Sequence, residues 1–83
     1  MKKEIFISLE FDKDYNQALR NPPTVTTAYS LFSQLMFHND FDRLERLETV
    51  FVDYINSGKY NRVDAEKLKQ ILDKVYDKLN SRS

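Results

Sequence analysis

The sequence predicts a small, mostly helical fold in which an N-terminal β-strand and a short turn precede a three-helix antiparallel bundle. Apolar residues recur at helical spacing in residues 24–38, 41–56 and 65–80. Pro22 and Pro23 separate these segments from the N-terminal part of the chain, because proline ends a helix. The 83 residues suit one domain. We therefore expect a strand and turn in residues 1–20 and the bundle in residues 24–80.

The strand prediction depends on residues 4–11, where apolar and polar side chains alternate. The apolar residues at the odd positions are Ile5, Ile7, Leu9 and Phe11. The backbone of the first three would offer donors and acceptors along a strand edge to a partner. The alternative is a helix that continues to residue 20, with Ile7, Phe11, Tyr15 and Ala18 on one face. The fold would then be a four-helix bundle.

Each predicted helix begins at a residue that can cap it. Threonines at positions 24, 26 and 27 precede or open the first helix, and Asn39 or Asp40 can cap the second. Asp64 is the expected cap of the third helix. Gly58 is the only glycine, and it follows the second helix where a left-handed backbone conformation commonly ends a helix.

The first predicted helix lies in a segment without charge. No Asp, Glu, Lys or Arg occurs from Asn21 to Asn39, although charged residues make up 31% of the chain. A central helix with neighbours on both sides would explain this composition. An exposed contact face for a partner also would, because the cores of interfaces are depleted of charge. In that second interpretation the partner-binding residues on this helix are Ser30, Ser33 and Phe37.

Charge separates between the other two predicted helices. Residues 40–53 carry five acids and two bases, whereas residues 59–82 carry seven bases and four acids. One interpretation is a helical hairpin whose two arms attract each other. The other is a pair of surface patches of opposite sign that steer different partners.

The third predicted helix suggests an alternative function, a small DNA-binding transcriptional regulator. Its basic residues, together with one that precedes it, form the candidate nucleic-acid stripe: Arg62, Lys67, Lys74 and Lys78. Two features disfavour this function. The thirteen bases are balanced by thirteen acids, and the N-terminal end of the helix contains Asp64 and Glu66, which would repel phosphate.

Most catalytic chemistry lacks the residues that it needs. The absence of cysteine excludes disulfides and thiol catalysis, and one glycine cannot build a phosphate-binding loop. His38 is the only histidine, and capping explains the acids that follow it. We therefore expect no enzyme, no cofactor and no metal. No run of about 20 apolar residues exists, so we expect no membrane partner and a cytoplasmic location.

By elimination, the sequence favours a non-catalytic regulator that binds and occludes another protein, as inhibitors, immunity proteins and antitoxins do. Its composition is typical of an AT-rich bacterium or its phage. A single strand would leave backbone groups unpaired on both edges. A partner protein or a second copy of the chain, in a homodimer, would complete it.

Overall fold

The computed structural model contains four α-helices; it describes the backbone of residues 2–81 and the side chains of residues 10–81. The helices are α1 (Lys2–Arg20), α2 (Val25–Phe37), α3 (Phe41–Asn56) and α4 (Arg62–Asn80). Helices α2 and α3 form the centre, because each of them packs against the other three helices. Helices α1 and α4 lie on the outside and each packs against this central pair. The arrangement is the helical bundle that the sequence offered as its alternative.

The prediction of an N-terminal strand is not supported, since residues 4–11 belong to α1 and the predicted turn continues the same helix. The helical spacing of Phe11, Tyr15 and Ala18 prevails over the alternation. Tyr15 and Ala18 are buried in the core, and Phe11 packs against it. A helix also bonds its backbone N–H and C=O groups internally, whereas a lone strand would leave them without partners.

The core draws buried side chains from all four helices. Its aromatic centre is the pair Phe32 and Phe51, whose ring centroids lie 5.1 Å apart in an edge-to-face arrangement. The buried residues are Tyr15, Ala18, Ala28, Leu31, Phe32, Leu35, Leu44, Leu47, Phe51, Tyr54, Leu68, Ile71, Leu72 and Val75. The helical periodicity of residues 24–38, 41–56 and 65–80 therefore predicted most of these core positions, but Tyr76, which follows the same spacing in α4, is 60% exposed.

The turn between α2 and α3 is short because Asp40 bonds to the end of α2 through its backbone and caps the start of α3 with its side chain. Asn39 follows α2 in the left-handed region, with a φ of 56°. The backbone N–H of Asp40 then donates to the carbonyl of Leu35 at 3.0 Å, which closes a Schellman motif. The carboxylate of Asp40 caps α3 by accepting from the backbone N–H of Arg43. The carbonyl of Leu35 at the end of α2 and the backbone N–H of Arg43 at the start of α3 are thus both hydrogen-bonded.

The turn between α3 and α4 uses Gly58 at the predicted position. Its φ is 75°, and the backbone N–H of Lys59 donates to the carbonyl of Tyr54 at 2.9 Å. Helix α4 begins three residues earlier than predicted. Asn61, not Asp64, is its N-cap, because the Asn61 side chain accepts from the backbone N–H of Asp64 at 2.8 Å.

Two tyrosine hydroxyls hold the ends of the helices together. The hydroxyl of Tyr54 donates to the carbonyl of Ala18 at 2.7 Å, and that of Tyr60 donates to the carbonyl of Pro23 at 2.6 Å. Burial, with smaller contributions from the nearby Tyr54 and Asp64, raises the pKa of Tyr60 to about 12. Tyr60 therefore fixes the start of α4 beside the start of α2.

Replacement of Gly58 by alanine should destabilise the fold. No atom lies within 4 Å of the added methyl group, so the cost comes from the left-handed backbone alone. We expect Gly58→Ala to lower the free energy of unfolding by about 1 kcal/mol in chemical denaturation. Asn39→Gly is the matched control at the other positive φ and should not destabilise. Equal stability of Gly58→Ala and the parent would contradict the assignment of this turn.

Alkaline pH should weaken the fold through Tyr60. Its pKa rises from 10.0 in the unfolded chain to about 12 in the fold, so its stabilising contribution is complete below pH 10 and is lost as the pH rises through 12. Thermal melts at increasing pH should show this loss. Tyr60→Phe should be less stable near neutral pH but should lose less stability over the same alkaline range. Identical pH dependence in both proteins would disprove the role of Tyr60.

Candidate protein-binding face

The outward side of α2 is exposed and carries no charge. Its residues recur at spacings of four, three and four, opposite the buried residues of the same helix. We name this surface the α2 face; it consists of Thr26, Ser30, Ser33 and Phe37, all of them exposed. The three partner-binding residues predicted on this helix therefore lie together on one surface. Helix α2 packs against the three other helices, as the first interpretation of the uncharged segment expects, and its outward side is exposed, as the second requires.

Phe37 ends the α2 face and is its most prominent member. The side chain is 82% exposed, and its ring contacts only the edge of the His38 ring among the aromatic pairs of residues 10–81, at 5.2 Å between centroids. Along the same face, the Gln34 amide donates to the hydroxyl of Ser30 at 3.2 Å. The face thus combines small hydroxyl groups with one large apolar side chain.

One flank of the α2 face is acidic. A groove of about 270 Å³ separates α1 from α2, and Glu10 and Asp14 of α1 line it together with Thr26, Thr27 and Ser30 of α2. We name Glu10 and Asp14 the acidic strip. The only base of residues 10–18, Lys13, precedes Asp14 by one residue and is therefore rotated away from α2. Among residues 10–18 of α1, no cation therefore lies on the side of the acidic strip.

The other flank is basic. The hydroxyl of Tyr29 donates to the backbone carbonyl of Lys67 at 2.8 Å, so the backbone of α4 at Lys67 lies beside α2. Lys74 and Lys78 follow Lys67 at spacings of seven and four, so the three lysines share one side of α4. We name them the basic strip. Arg62 lies five residues before Lys67, about 1.4 turns away, and is not part of it.

Three of the four acids of α4 lie on a different side from the basic strip. Glu66, Asp73 and Asp77 each precede a lysine of the strip by one residue, whereas the core residues Leu68 and Val75 each follow one. One residue corresponds to a rotation of about 100°, so these three acids turn away from the core and from α2, and the fourth acid, Asp64, lies in the first turn of the helix. Across the molecule, the surface therefore runs from the acidic strip through the uncharged α2 face to the basic strip.

A smaller cleft of about 180 Å³ lies where α1, α2 and α3 meet, and Arg43 dominates it. The guanidinium donates to the carboxylates of Asp12 at 2.6 Å and Asp40 at 2.7 Å. It also lies over the rings of Phe11 and Tyr15, at 5.2 and 5.4 Å from their centroids. The hydrogen bond to Asp12 is the largest cause that raises the pKa of Arg43. Arg43 thus joins α1 to the α2–α3 turn.

Neither of the two salt bridges among the described side chains joins α3 to α4, although the two helices carry opposite net charge. Both salt bridges involve Arg43, and their acids belong to α1 and to the α2–α3 turn. The interpretation of a hairpin with attracting arms therefore has no direct contact to support it among these pairs.

The strand-edge residues Ile5, Ile7 and Leu9 do not form the predicted site. Their backbone belongs to α1, so no strand edge offers its donors and acceptors there, and their side chains lie outside the described residues. The acidic strip, by contrast, escaped the sequence prediction. Glu10 and Asp14 each precede a core-side residue of α1 by one position, and only the helical alternative would have placed them on one side.

No group of three His, Cys, Asp or Glu side chains that could hold a metal ion occurs among the described residues. Within residues 2–81, none of the helices is long and apolar enough to cross a membrane. Comparisons with protein-family models, curated proteins and solved structures found no match to this chain.

The contacts of Arg43 predict a preference for arginine over lysine. Lysine keeps the charge but lacks the planar fork that bonds two carboxylates while it stacks on aromatic rings. We expect Arg43→Lys to lower the free energy of unfolding by about 1 kcal/mol in chemical denaturation. Arg46→Lys, on the exposed side of the same helix, is the control and should leave stability unchanged. An equal effect of both substitutions would contradict this account.

Proposed function

We propose that this protein is a non-catalytic regulator that binds another protein through the α2 face and occludes the surface on which that partner works. Inhibitors, immunity proteins and antitoxins act in this way. One observation carries the proposal: the outward side of α2 is exposed, yet it has no charged residue. Packing accounts for the uncharged residues on the buried sides of α2, but it does not account for those that face water.

The composition of the α2 face favours association with a protein. Burial of a charged side chain at an interface costs free energy unless a partner charge meets it, and this face avoids that cost. The hydroxyls of Ser30 and Ser33 are small and can donate or accept hydrogen bonds. Phe37 offers the kind of large, exposed aromatic group that commonly anchors an interface.

A DNA-binding regulator is the second candidate, and the shared side of Lys67, Lys74 and Lys78 is the observation that favours it. Several acids weigh against it. Asp64 lies in the first turn of α4, where a recognition helix meets the bases. Helix α3 follows a tight turn, as recognition helices do, but its first turn contains Asp42, and Glu45 and Glu48 follow. Phosphate would be repelled from both helices.

The proposal predicts that Ser33→Arg abolishes partner capture without unfolding the protein. An arginine at the centre of the α2 face would be desolvated without a designed counter-charge. The experiment compares tagged parent and variant as baits in a host lysate, with circular dichroism to verify the fold. Asn16→Arg, at an exposed position of α1, is the matched control and should capture the partner as the parent does.

Capture of the same protein by Ser33→Arg and by the parent would disprove the role of the α2 face. The DNA alternative has a separate outcome. Binding to duplex DNA that weakens steeply with salt, and that is lost when Lys67, Lys74 and Lys78 become Glu, would replace the proposed function by the second candidate.

A further inference from the structure

The three surfaces around α2 have a fixed order of charge. The acidic strip, Glu10 and Asp14, borders the α2 face through the α1–α2 groove. The basic strip, Lys67, Lys74 and Lys78, borders it on the opposite side, where Tyr29 bonds to the Lys67 carbonyl. The order is therefore negative, neutral and positive, and one exposed helix lies in the middle.

We propose that the α2 face binds a second copy of this chain in a symmetric dimer whose two-fold axis runs along α2. The proposal rests on the proposed function in one respect, because it uses the same face. It goes further by naming an occupant of that face and an orientation for it. Partner capture and self-association would then exclude each other, so the dimer would withhold the α2 face from the partner protein.

The order of charge selects the direction of the axis. A symmetric dimer presents the same surface on both copies, and its two-fold axis lies in the plane of the interface. Rotation about an axis along α2 exchanges left and right, so the acidic strip of each copy meets the basic strip of the other. Rotation about an axis across α2 would place acid on acid and base on base, which like-charge repulsion disfavours.

The levels of the charged residues along α2 agree with this orientation. Asp14 lines the groove beside Thr27 and Ser30, and the backbone carbonyl of Lys67 accepts from the Tyr29 hydroxyl, so the backbones of Asp14 and Lys67 lie at the same level along α2. A rotation about α2 preserves that level. Asp14 would therefore face Lys67 of the second copy across the interface.

The second charge pair follows from the helix directions. Helix α1 runs opposite to α2, because its Phe11 lies beside Leu35 whereas its Ala18 lies beside Thr24 and Thr27. Glu10 is therefore one turn closer to the Phe37 end than Asp14. Helix α4 runs in the same direction as α2, because Tyr60 bonds to Pro23. Lys74 thus also lies toward the Phe37 end, where it would meet Glu10 of the second copy.

The middle of the interface suits close packing of two helices. Thr26, Ser30 and Ser33 are small, so the two α2 helices can approach with little side-chain bulk between them. Because the axis runs along α2, Phe37 would lie opposite Phe37 of the second copy. Its 82% exposed ring would then be covered by the same ring, which is a favourable aromatic pairing.

Light scattering on a sizing column tests the dimer with purified protein alone. We expect the parent at high micromolar concentration to have a mass of twice 9.9 kDa. Lys67→Glu/Lys74→Glu should have the mass of one chain, since both flanks are then acidic. Glu10→Lys/Asp14→Lys should also have the mass of one chain, since both flanks are then basic. An equimolar mixture of the two variants should return to twice that mass, because acidic flanks then meet basic flanks.

The mixture distinguishes an interface from simple misfolding, since two unfolded variants would not restore the dimer. Lys13→Glu/Lys69→Glu changes the net charge as much as the first variant, but at exposed positions outside the basic strip, and it should remain dimeric. A parent with the mass of one chain at millimolar concentration would overturn the proposal. A mixture that stays monomeric while both variants are folded would overturn it as well.

The proposed function fails by a different measurement. If the parent is monomeric but Ser33→Arg loses a captured partner, the dimer is wrong and the protein-binding function stands. If the charge-swapped mixture is dimeric but Ser33→Arg captures the same partner as the parent, the dimer stands and the assignment of the partner site is wrong.

Discussion

The packing of α2 against the three other helices is the constraint on which the rest of the structure depends. Its buried residues, among them Ala28, Phe32 and Leu35, are 0–2% exposed, and Phe32 contacts Phe51 at the centre of the core. A charged side chain on these sides would lose its hydration without a counter-charge. The neutrality of α2 on its inner sides is thus a condition for folding, whereas the neutrality of its outer side is free for function.

Contacts at the two ends of α2 fix the positions of α1 and α4 on either side of it. At the C-terminal end, the turn at Asn39 and Asp40 leads directly into α3, and Arg43 of α3 contacts α1 through Asp12. At the N-terminal end, Tyr60 fixes the start of α4 against Pro23. Helices α1 and α4 therefore flank α2 on opposite sides, and their charges reach the surface at the borders of the α2 face.

This arrangement places the α2 face and its two charged strips on one side of the molecule. In the proposed interface, the hydroxyls and Phe37 of the α2 face would make the contact, while the acidic strip and the basic strip would set its orientation. Individual exposed ion pairs contribute little free energy, but the sign of a charged flank decides which orientation is repelled. In the proposed interface, the neutral centre would supply the contact area and the charged borders would set the orientation.

By itself, the sequence determined the three later helices, most of their core positions and three of their termini. The apolar periodicity of residues 24–38 and 41–56 was strong, and Thr24, Asp40 and Gly58 marked helix ends through local backbone chemistry. The exposed positions of Ser30, Ser33 and Phe37 also followed from periodicity, because they lie opposite the apolar stripe of the same helix.

Only the tertiary structure decided the state of the N-terminal segment and the neighbours of α2. Residues 4–11 fit period two and helical spacing alike, and contacts of Tyr15 and Ala18 with distant helices favoured the helix. The N-cap of α4 is Asn61 rather than the predicted Asp64. Both residue types can cap a helix, so the local sequence alone did not choose between them. The order of the acidic strip, the α2 face and the basic strip depends on how α1 and α4 pack, and packing between distant segments is not encoded in the spacing of residues within one helix.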